Sequence, residues 1–189
     1  QVLAIFAVAD TIKESSRAAV ADLHRLGVVS VMLTGDNVAT AKAIAGQAGI
    51  DDARGNLLPE DKLAAIEELR SRYGSTAMTG DGINDAPALA KADIGIAMGA
   101  AGTDTAMEAA DIVIMNDDLR RIPEIIRLSR RTHAVLWQNI TLALGIKAVV
   151  LGFAVFGNAT MWMAVFADMG ASLLVVANGL RVLRSTTIV

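Results

Sequence analysis

The chain has 189 residues, of which 53% are apolar, and its formal net charge at pH 7 is -3. This small charge, without a basic run interleaved with aromatic residues, argues against nucleic acid as a partner. The sequence contains no cysteine, which excludes disulfides and thiolate metal ligands within it. Only four charged residues follow residue 133, namely Lys147, Asp168, Arg181 and Arg184. The sequence therefore predicts a soluble part followed by a membrane part.

Apolar runs of strand length alternate with helix-like segments in the soluble part. The predicted strands cover residues 2–8, 28–33, 75–79, 94–98 and 111–115, and the predicted helices cover 15–26, 37–48, 60–72 and 84–92. This alternation predicts a Rossmann-like α/β fold with a mostly parallel sheet and helices on both faces. In such folds the chemistry lies at the carboxyl ends of the strands.

Acidic turns follow the first three predicted strands. Asp10 follows the first strand, Thr34-Gly35-Asp36 the second and Gly80-Asp81 the third. We expect these turns to converge on one edge of one sheet, where they would form a polar, cation-binding crevice.

Residues 80–89 read Gly-Asp-Gly-Ile-Asn-Asp-Ala-Pro-Ala-Leu and are the most informative segment of the chain. Two carboxylates on such a tight turn can bind Mg²⁺, while the other coordination positions stay with water and a phosphate. We predict Asp81 as the principal Mg²⁺ ligand, and Asn84 and Asp85 as residues that bind the phosphate and orient the waters of the metal. The alternative is a surface turn, which would be the better interpretation for an isolated Asp-Gly pair.

Two further features suit a transferring phosphoryl group. The Thr34 hydroxyl and the Gly35 N–H can each donate to a phosphoryl oxygen. Lys62, in Pro59-Glu60-Asp61-Lys62, is a point charge on a flexible stem that can neutralise the group. Considered alone, Thr34 would be an ordinary turn threonine and Lys62 a solvated helix lysine.

Thr34-Gly35-Asp36, Pro59-Glu60-Asp61-Lys62 and the segment 80–89 follow one another along the chain. Together, in this order, they resemble the phosphorylation domain of P-type ATPases, which are ion pumps of the haloacid-dehalogenase superfamily. The resemblance runs from about residue 3 to the C-terminus. It implies ATP and Mg²⁺ as cofactors. It also implies that Asp10, Lys13 and Asp36 lie nearer the nucleotide and the hinge to a separate nucleotide-binding domain.

The phosphate acceptor of the resembled family is the aspartate of an Asp-Lys-Thr-Gly-Thr motif, which this sequence does not contain. We therefore expect the acceptor to lie in the remainder of a longer polypeptide. That remainder would include the nucleotide-binding domain, the actuator domain and other transmembrane helices. The chain alone is expected to be inactive.

Residues 134–157 and 159–181 are each long enough to cross a bilayer as a helix, since about 20 residues suffice. Trp137 and Trp162 suit interfacial anchors, and the basic flanks predict that both ends of this hairpin are cytoplasmic. A buried soluble hairpin is the alternative. The predicted organisation is residues 1–119 as the C-terminal part of the phosphorylation domain, 120–133 as a connecting helix, and 182–189 as a cytoplasmic tail. We expect a multi-pass protein of a bacterial inner or plasma membrane, in contact with lipid.

Lys147 and Asp168 are the charges inside the two predicted spans. Lys147 lies 11 residues before Asn158 and Asp168 lies 10 residues after it, so an antiparallel hairpin brings them to nearly the same depth. An intramembrane charge costs about 2.5–3.5 kcal/mol and is by default a functional candidate. One interpretation makes Asp168 a ligand of a transported cation and Lys147 its counter-charge, and the other makes the pair a structural clamp.

The membrane motifs narrow the resemblance. Asn139 and Lys147 in one span, followed by Asp168-Met169-Gly170 in the next, resemble the zinc, cadmium and lead branch of the heavy-metal pumps. This resemblance implies export of Zn²⁺, Cd²⁺ or Pb²⁺. Softer ligands, such as a cysteine pair, are then expected outside this chain.

Two rival functions use the same motifs. A membrane-anchored phosphatase of the haloacid-dehalogenase type would need a nucleophile loop near Gln1, and none is present there. A non-catalytic pump fragment would not need the complete set of Thr34, Lys62, Asp81 and Asp85.

Overall fold

The structure is a computed structural model, which describes residues 12–80, 83–99, 104–157 and 160–184. The chain divides into two compact units, Gln1–Pro123 and Glu124–Val189. The predicted first strand at 2–8 lies outside the described residues.

Helices and strands alternate along the first unit, as the sequence predicts. The elements are α1 (Glu14–Arg25), β1 (Val31–Leu33), α2 (Val38–Ala48), β2 (Asp52–Arg54), α3 (Pro59–Tyr73), β3 (Ala77–Gly80), α4 (Ala86–Lys91), β4 (Ile94–Met98), α5 (Asp104–Ala109) and β5 (Ile112–Ile114). A 3₁₀ turn over Ile83–Asp85 precedes α4. Strand β2 and helix α5 were not predicted.

All pairings among the described strands are parallel, as predicted, and these strands form two sheets. Strand β1 pairs with β2, with Val31 opposite Asp52. Strands β3, β4 and β5 form the second sheet in that order, with Ala77 opposite Ile94. Within the described ranges no strand pairs with both β1 and β3, and the predicted strand at 2–8 lies outside those ranges.

Small residues fill much of the core of this unit. Ala41 and Ala45 of α2, Ala88 of α4 and Ala97 of β4 are buried, and Leu89 is the largest aliphatic side chain that is almost fully enclosed. Small side chains let helices approach the sheets closely. A methyl group on Gly95 of β4 would lie 2.7 Å from the carbonyl oxygen of Leu89. The α/β class predicted from the sequence is confirmed.

Capping interactions fix where the helices next to the strands begin and end. The Asn37 side chain accepts a hydrogen bond of 2.8 Å from Thr40 N at the start of α2, and Gly49 ends that helix in the left-handed region. Helix α3 begins at Pro59, and the carboxylate of Asp61 accepts a hydrogen bond of 2.9 Å from Leu58 N. The turns after β1 and β2 are thereby defined.

The second unit contains most of α6 (Arg121–Val155) and all of α7 (Met161–Arg184). By length and composition both helices can cross a membrane, and almost none of their apolar stretch is buried within the protein. The predicted connecting helix at 120–133 and the first predicted span are one continuous helix. Helix α6 is followed by a turn at Gly157, whose φ of 74° lies in the left-handed region.

Asp93 connects the beginnings of β3 and β4. Its Oδ2 accepts a hydrogen bond of 2.9 Å from Thr76 N, and its Oδ1 lies 2.7 Å from Arg70 Nη2. The hydrogen bond from the Thr76 backbone, with the charge of Arg70, lowers the pKa of Asp93. A lowered folded-state pKa stabilises the fold above the unfolded-state value, near 3.9, and this contribution disappears as the pH falls through the folded-state pKa.

Replacing Asp93 by Asn should therefore lower the melting temperature of the chain at pH 7, and the difference from wild type should shrink below about pH 4. Thermal unfolding followed by circular dichroism in detergent measures this. Glu14→Gln is the control, because Glu14 is exposed and lies 4.0 Å from Arg17 in the same helix. A difference for Asp93→Asn that is constant from pH 3 to 7 would contradict the explanation.

Candidate functional site

The loop after β1 contains Thr34 and Gly35, which are predicted to bind the phosphoryl group, and Asp36, which is predicted to lie nearer the nucleotide. The Thr34 hydroxyl donates to Asp36 Oδ2 at 3.0 Å and accepts from Asp36 N at 3.1 Å. The backbone of Thr34 also donates to the Arg54 carbonyl at 3.0 Å. The loop is thus a closed turn at the carboxyl end of a strand, where a hydroxyl and a carboxylate lie side by side.

Lys62 and Asp85 form the most enclosed of the described ion pairs. Lys62 Nζ lies 2.6 Å from Asp85 Oδ1, and the two side chains are only 14% and 16% exposed. Lys62 is in the first turn of α3, and Asp85 is in the 3₁₀ turn before α4. Because water screens such a pair less than a surface pair, the attraction fixes both side chains.

Gly80, the last residue of β3, is needed for this arrangement. A methyl group at Gly80 would lie 2.7 Å from Asp85 Cβ and 2.8 Å from Asp85 Oδ2. The carboxylate therefore packs directly against the end of the strand. A larger residue at position 80 would displace it from Lys62.

A cavity of about 490 Å³ opens at the carboxyl ends of β3 and β4. Thr79, Gly80 and Met98 line it on the sheet side, and Lys13 lies at the start of α1 on the other side. Lys13 and Asp117 are the charged residues among those that line the cavity. The cavity therefore combines an apolar wall with one positive and one negative charge.

The predicted Mg²⁺ ligands are only partly within the described residues. Asp81 lies outside them, as does Asp10, which is predicted to lie near the nucleotide, and Asn84 is exposed immediately before Asp85. Within the described ranges no cluster of three His, Cys, Asp or Glu side chains is present. Asp85 supplies carboxylate oxygens beside Gly80, and Mg²⁺ prefers one or two carboxylates together with water and phosphate oxygens. The residue types of this turn therefore fit Mg²⁺.

In the second unit, Lys147 and Asp168 face each other as the hairpin spacing predicts. Lys147 Nζ lies 3.7 Å from Asp168 Oδ1. Both line a cavity of about 270 Å³ between α6 and α7, with Ala154, Ala164 and Ala167 among its other residues. Alanines leave room beside the pair. The site offers one anionic oxygen ligand and one cation at the same level of the hairpin.

A second polar contact between these helices was not predicted. The Asn178 amide donates to Asn139 Oδ1 at 2.9 Å and to Gln138 Oε1 at 3.2 Å, and its oxygen accepts from Arg181 at 3.1 Å. Counting residues on each side of Asn158, which pairs Lys147 with Asp168, would also predict this contact. Asn139 lies 19 residues before Asn158 and Asn178 lies 20 after it.

Comparisons with known proteins agree with this architecture. A family model for haloacid dehalogenase-like hydrolases matches residues 1–93. A probable cadmium-transporting ATPase of Alkalihalophilus pseudofirmus OF4 is 52% identical over 97% of this chain and 26% of its own length. The zinc/cadmium/lead-transporting P-type ATPase of Escherichia coli K12 is 49% identical over 97% of this chain and 25% of its own length.

A solved structure gives the same result for the fold. A zinc-transporting PIB-type ATPase in the E2·Pi state superposes with a TM-score of 0.86 at 48% identity, over 92% of this chain and 28% of that chain. Fold and site thus define a haloacid-dehalogenase-like domain joined to membrane-type helices. The chain belongs to the P-type ATPases, and the relatives described above are named for the transport of cadmium, zinc and lead. It spans about a quarter of the length of the curated relatives it matches.

Proposed function

We propose that the chain is the C-terminal portion of an ATP-driven export pump for Zn²⁺, Cd²⁺ or Pb²⁺, which works through an aspartyl-phosphate whose acceptor lies outside this chain. The observation that supports this most is the enclosed Lys62–Asp85 pair beside the Gly80 turn. It provides a cation and a carboxylate at a strand end, which phosphoryl transfer with a divalent metal requires.

In this proposal the residues of the first unit bind and orient the phosphoryl group. Lys62 donates to a phosphoryl oxygen, exchanging part of its contact with Asp85 for the incoming negative charge. Thr34 and the Gly35 N–H donate to the same group. Thr34 and Gly35 lie on a loop and Lys62 lies at the start of α3, and the fold fixes both in advance. These donors therefore need little reorganisation as charge develops on the transferring group.

Asp81 and Asp85 would bind Mg²⁺, which neutralises phosphate charge when bound, and Asn84 would orient its waters. Asp10, Lys13 and Asp36 would contact the nucleotide. The position of Lys13 in the cavity beside Gly80 supports its role.

The membrane part would provide one half of the ion pathway. In this proposal Asp168 is a ligand of the transported cation. When the cation has left, Lys147 replaces the cation as the partner of Asp168. The separation of 3.7 Å supports this exchange, because at that distance the two opposite charges attract each other. Residues 1–119 would form part of a cytoplasmic phosphorylation domain, and 134–157 and 159–181 would span a bacterial membrane.

Replacing Asp81 by Asn tests the phosphoryl-transfer role in the full-length protein that contains this chain. The variant should lose phosphoenzyme formation from ATP, because an amide is a weak ligand for Mg²⁺. Acid-stable incorporation of γ-phosphate measures this. Asp22→Asn, in the last turns of α1, is the control and should retain the wild-type rate. Wild-type labelling of Asp81→Asn at the same Mg²⁺ concentration would refute the assignment.

Replacing Asp168 by Ala tests the transport site. Zn²⁺-stimulated ATPase activity should vanish, whereas phosphorylation from inorganic phosphate, which needs no transported ion, should persist. Lys147→Ala should instead slow turnover more than it weakens Zn²⁺ binding, because Asp168 then has no counter-charge in the empty site. Met169→Leu is the matched control, since the Met169 side chain is exposed and carries no charge. Equal loss of both partial reactions in both variants would indicate a structural clamp only.

A further inference from the structure

The turn between β2 and α3 is joined to the Thr34–Asp36 loop by backbone hydrogen bonds on both sides. Thr34 N donates to the Arg54 carbonyl at 3.0 Å, and Leu57 N donates to the Thr34 carbonyl at 3.1 Å. Asn56 N donates to the Asp36 carbonyl at 2.6 Å. Both ends of the loop are therefore paired with residues 54–57, so the conformation of this turn sets the position of the Thr34 hydroxyl.

Gly55 lies where the two segments come closest. A methyl group at Gly55 would lie 2.7 Å from the carbonyl oxygen of Asp36 and 2.8 Å from the nitrogen and Cα of Val38. These are backbone atoms of the loop and of the first residue of α2, so they cannot move aside as the end of a flexible side chain could. Any residue larger than glycine must push the Thr34–Asp36 loop away from the turn.

The same turn is attached to α3, which contains Lys62. Arg54 forms a two-pronged ion pair with Glu68 of α3, at 2.7 and 2.9 Å. At the other end of the turn, Leu58 N donates to Asp61 in the first turn of α3. Residues 54–58 thus connect the loop that contains Thr34 to the helix that contains Lys62.

We infer that Gly55 and the Arg54–Glu68 ion pair are positioning elements that set the distance between the Thr34 loop and Lys62, so that both can contact one phosphoryl group. This inference rests on the proposed function, because it assumes that Thr34 and Lys62 act together. Gly55 itself contacts no substrate. Its effect is transmitted through the backbone of the loop.

Gly55→Ala in the full-length protein tests the inference. Phosphoenzyme formation from ATP should slow by about 10- to 100-fold, since a displacement of about 1 Å at a reacting group has effects of this size. The Zn²⁺ concentration that gives half-maximal stimulation of ATPase activity should not change. Gly46→Ala is the control, because a methyl group at Gly46 of α2 would meet nothing within 4 Å.

A double-mutant cycle with Thr34→Ala distinguishes positioning from general destabilisation. If Gly55 acts through Thr34, the Thr34→Ala effect should be several-fold smaller in the Gly55→Ala background. General destabilisation would reduce the active fraction, and the two effects would then multiply. If Thr34→Ala alone leaves phosphorylation at the wild-type rate, the proposed role of Thr34 fails and this inference fails with it. If Thr34→Ala slows phosphorylation but the two effects multiply, only the positioning inference is overturned.

If Gly55→Ala does not fold, two variants that disturb the fold less test the positioning inference instead. Glu68→Gln weakens the contact with Arg54, whereas Glu67→Gln weakens the neighbouring pair with Lys91, which does not involve the turn. Glu68→Gln should slow phosphorylation about 2- to 5-fold, in line with the strength of exposed ion pairs. Glu67→Gln should leave it unchanged. Equal rates for Glu68→Gln and Glu67→Gln would overturn the inference.

Discussion

The enclosed attraction between Lys62 and Asp85 is the interaction on which the site depends. Two opposite charges that are each about 15% exposed cannot separate without leaving at least one of them poorly solvated. The fold is arranged to keep them together: Gly80 leaves space for the carboxylate, and the capped start of α3 fixes the lysine. A phosphoryl group that enters the site would meet a cation whose position is already determined.

The same chemical arrangement occurs in the second unit, with Lys147 and Asp168. In each unit a lysine forms an ion pair with a carboxylate that could instead bind a metal ion. The first pair is short and enclosed, whereas the second is longer and lines a small cavity together with alanines and larger aliphatic residues. The difference fits the proposed roles, since a phosphoryl site benefits from fixed donors and a transport site must open and close around its ion.

Much of the fold could be predicted from the sequence, because apolar runs and motif order are local signals. Strand β4 lies in the apolar run at 94–98, and the Lys147–Asp168 pairing follows from counting residues along a hairpin. Strand β2 could not be recognised, because Asp52-Ala53-Arg54 is polar and only three residues long. The pairing of Lys62 with Asp85 could not be predicted either, because the two residues are 23 positions apart and each was assigned to phosphate or metal separately.

Direct binding of orthovanadate, a phosphate analogue, to the full-length protein tests the central claim about Lys62. Titration calorimetry should show vanadate affinity at least about 10-fold weaker for Lys62→Met than for wild type, because a charge-assisted hydrogen bond of about 1.5–3 kcal/mol is lost. Lys91→Met removes an exposed lysine of α4 and should bind vanadate as wild type does. If Lys62→Met bound vanadate with unchanged affinity, Lys62 would not be a phosphoryl-binding residue and the account of the site would be wrong.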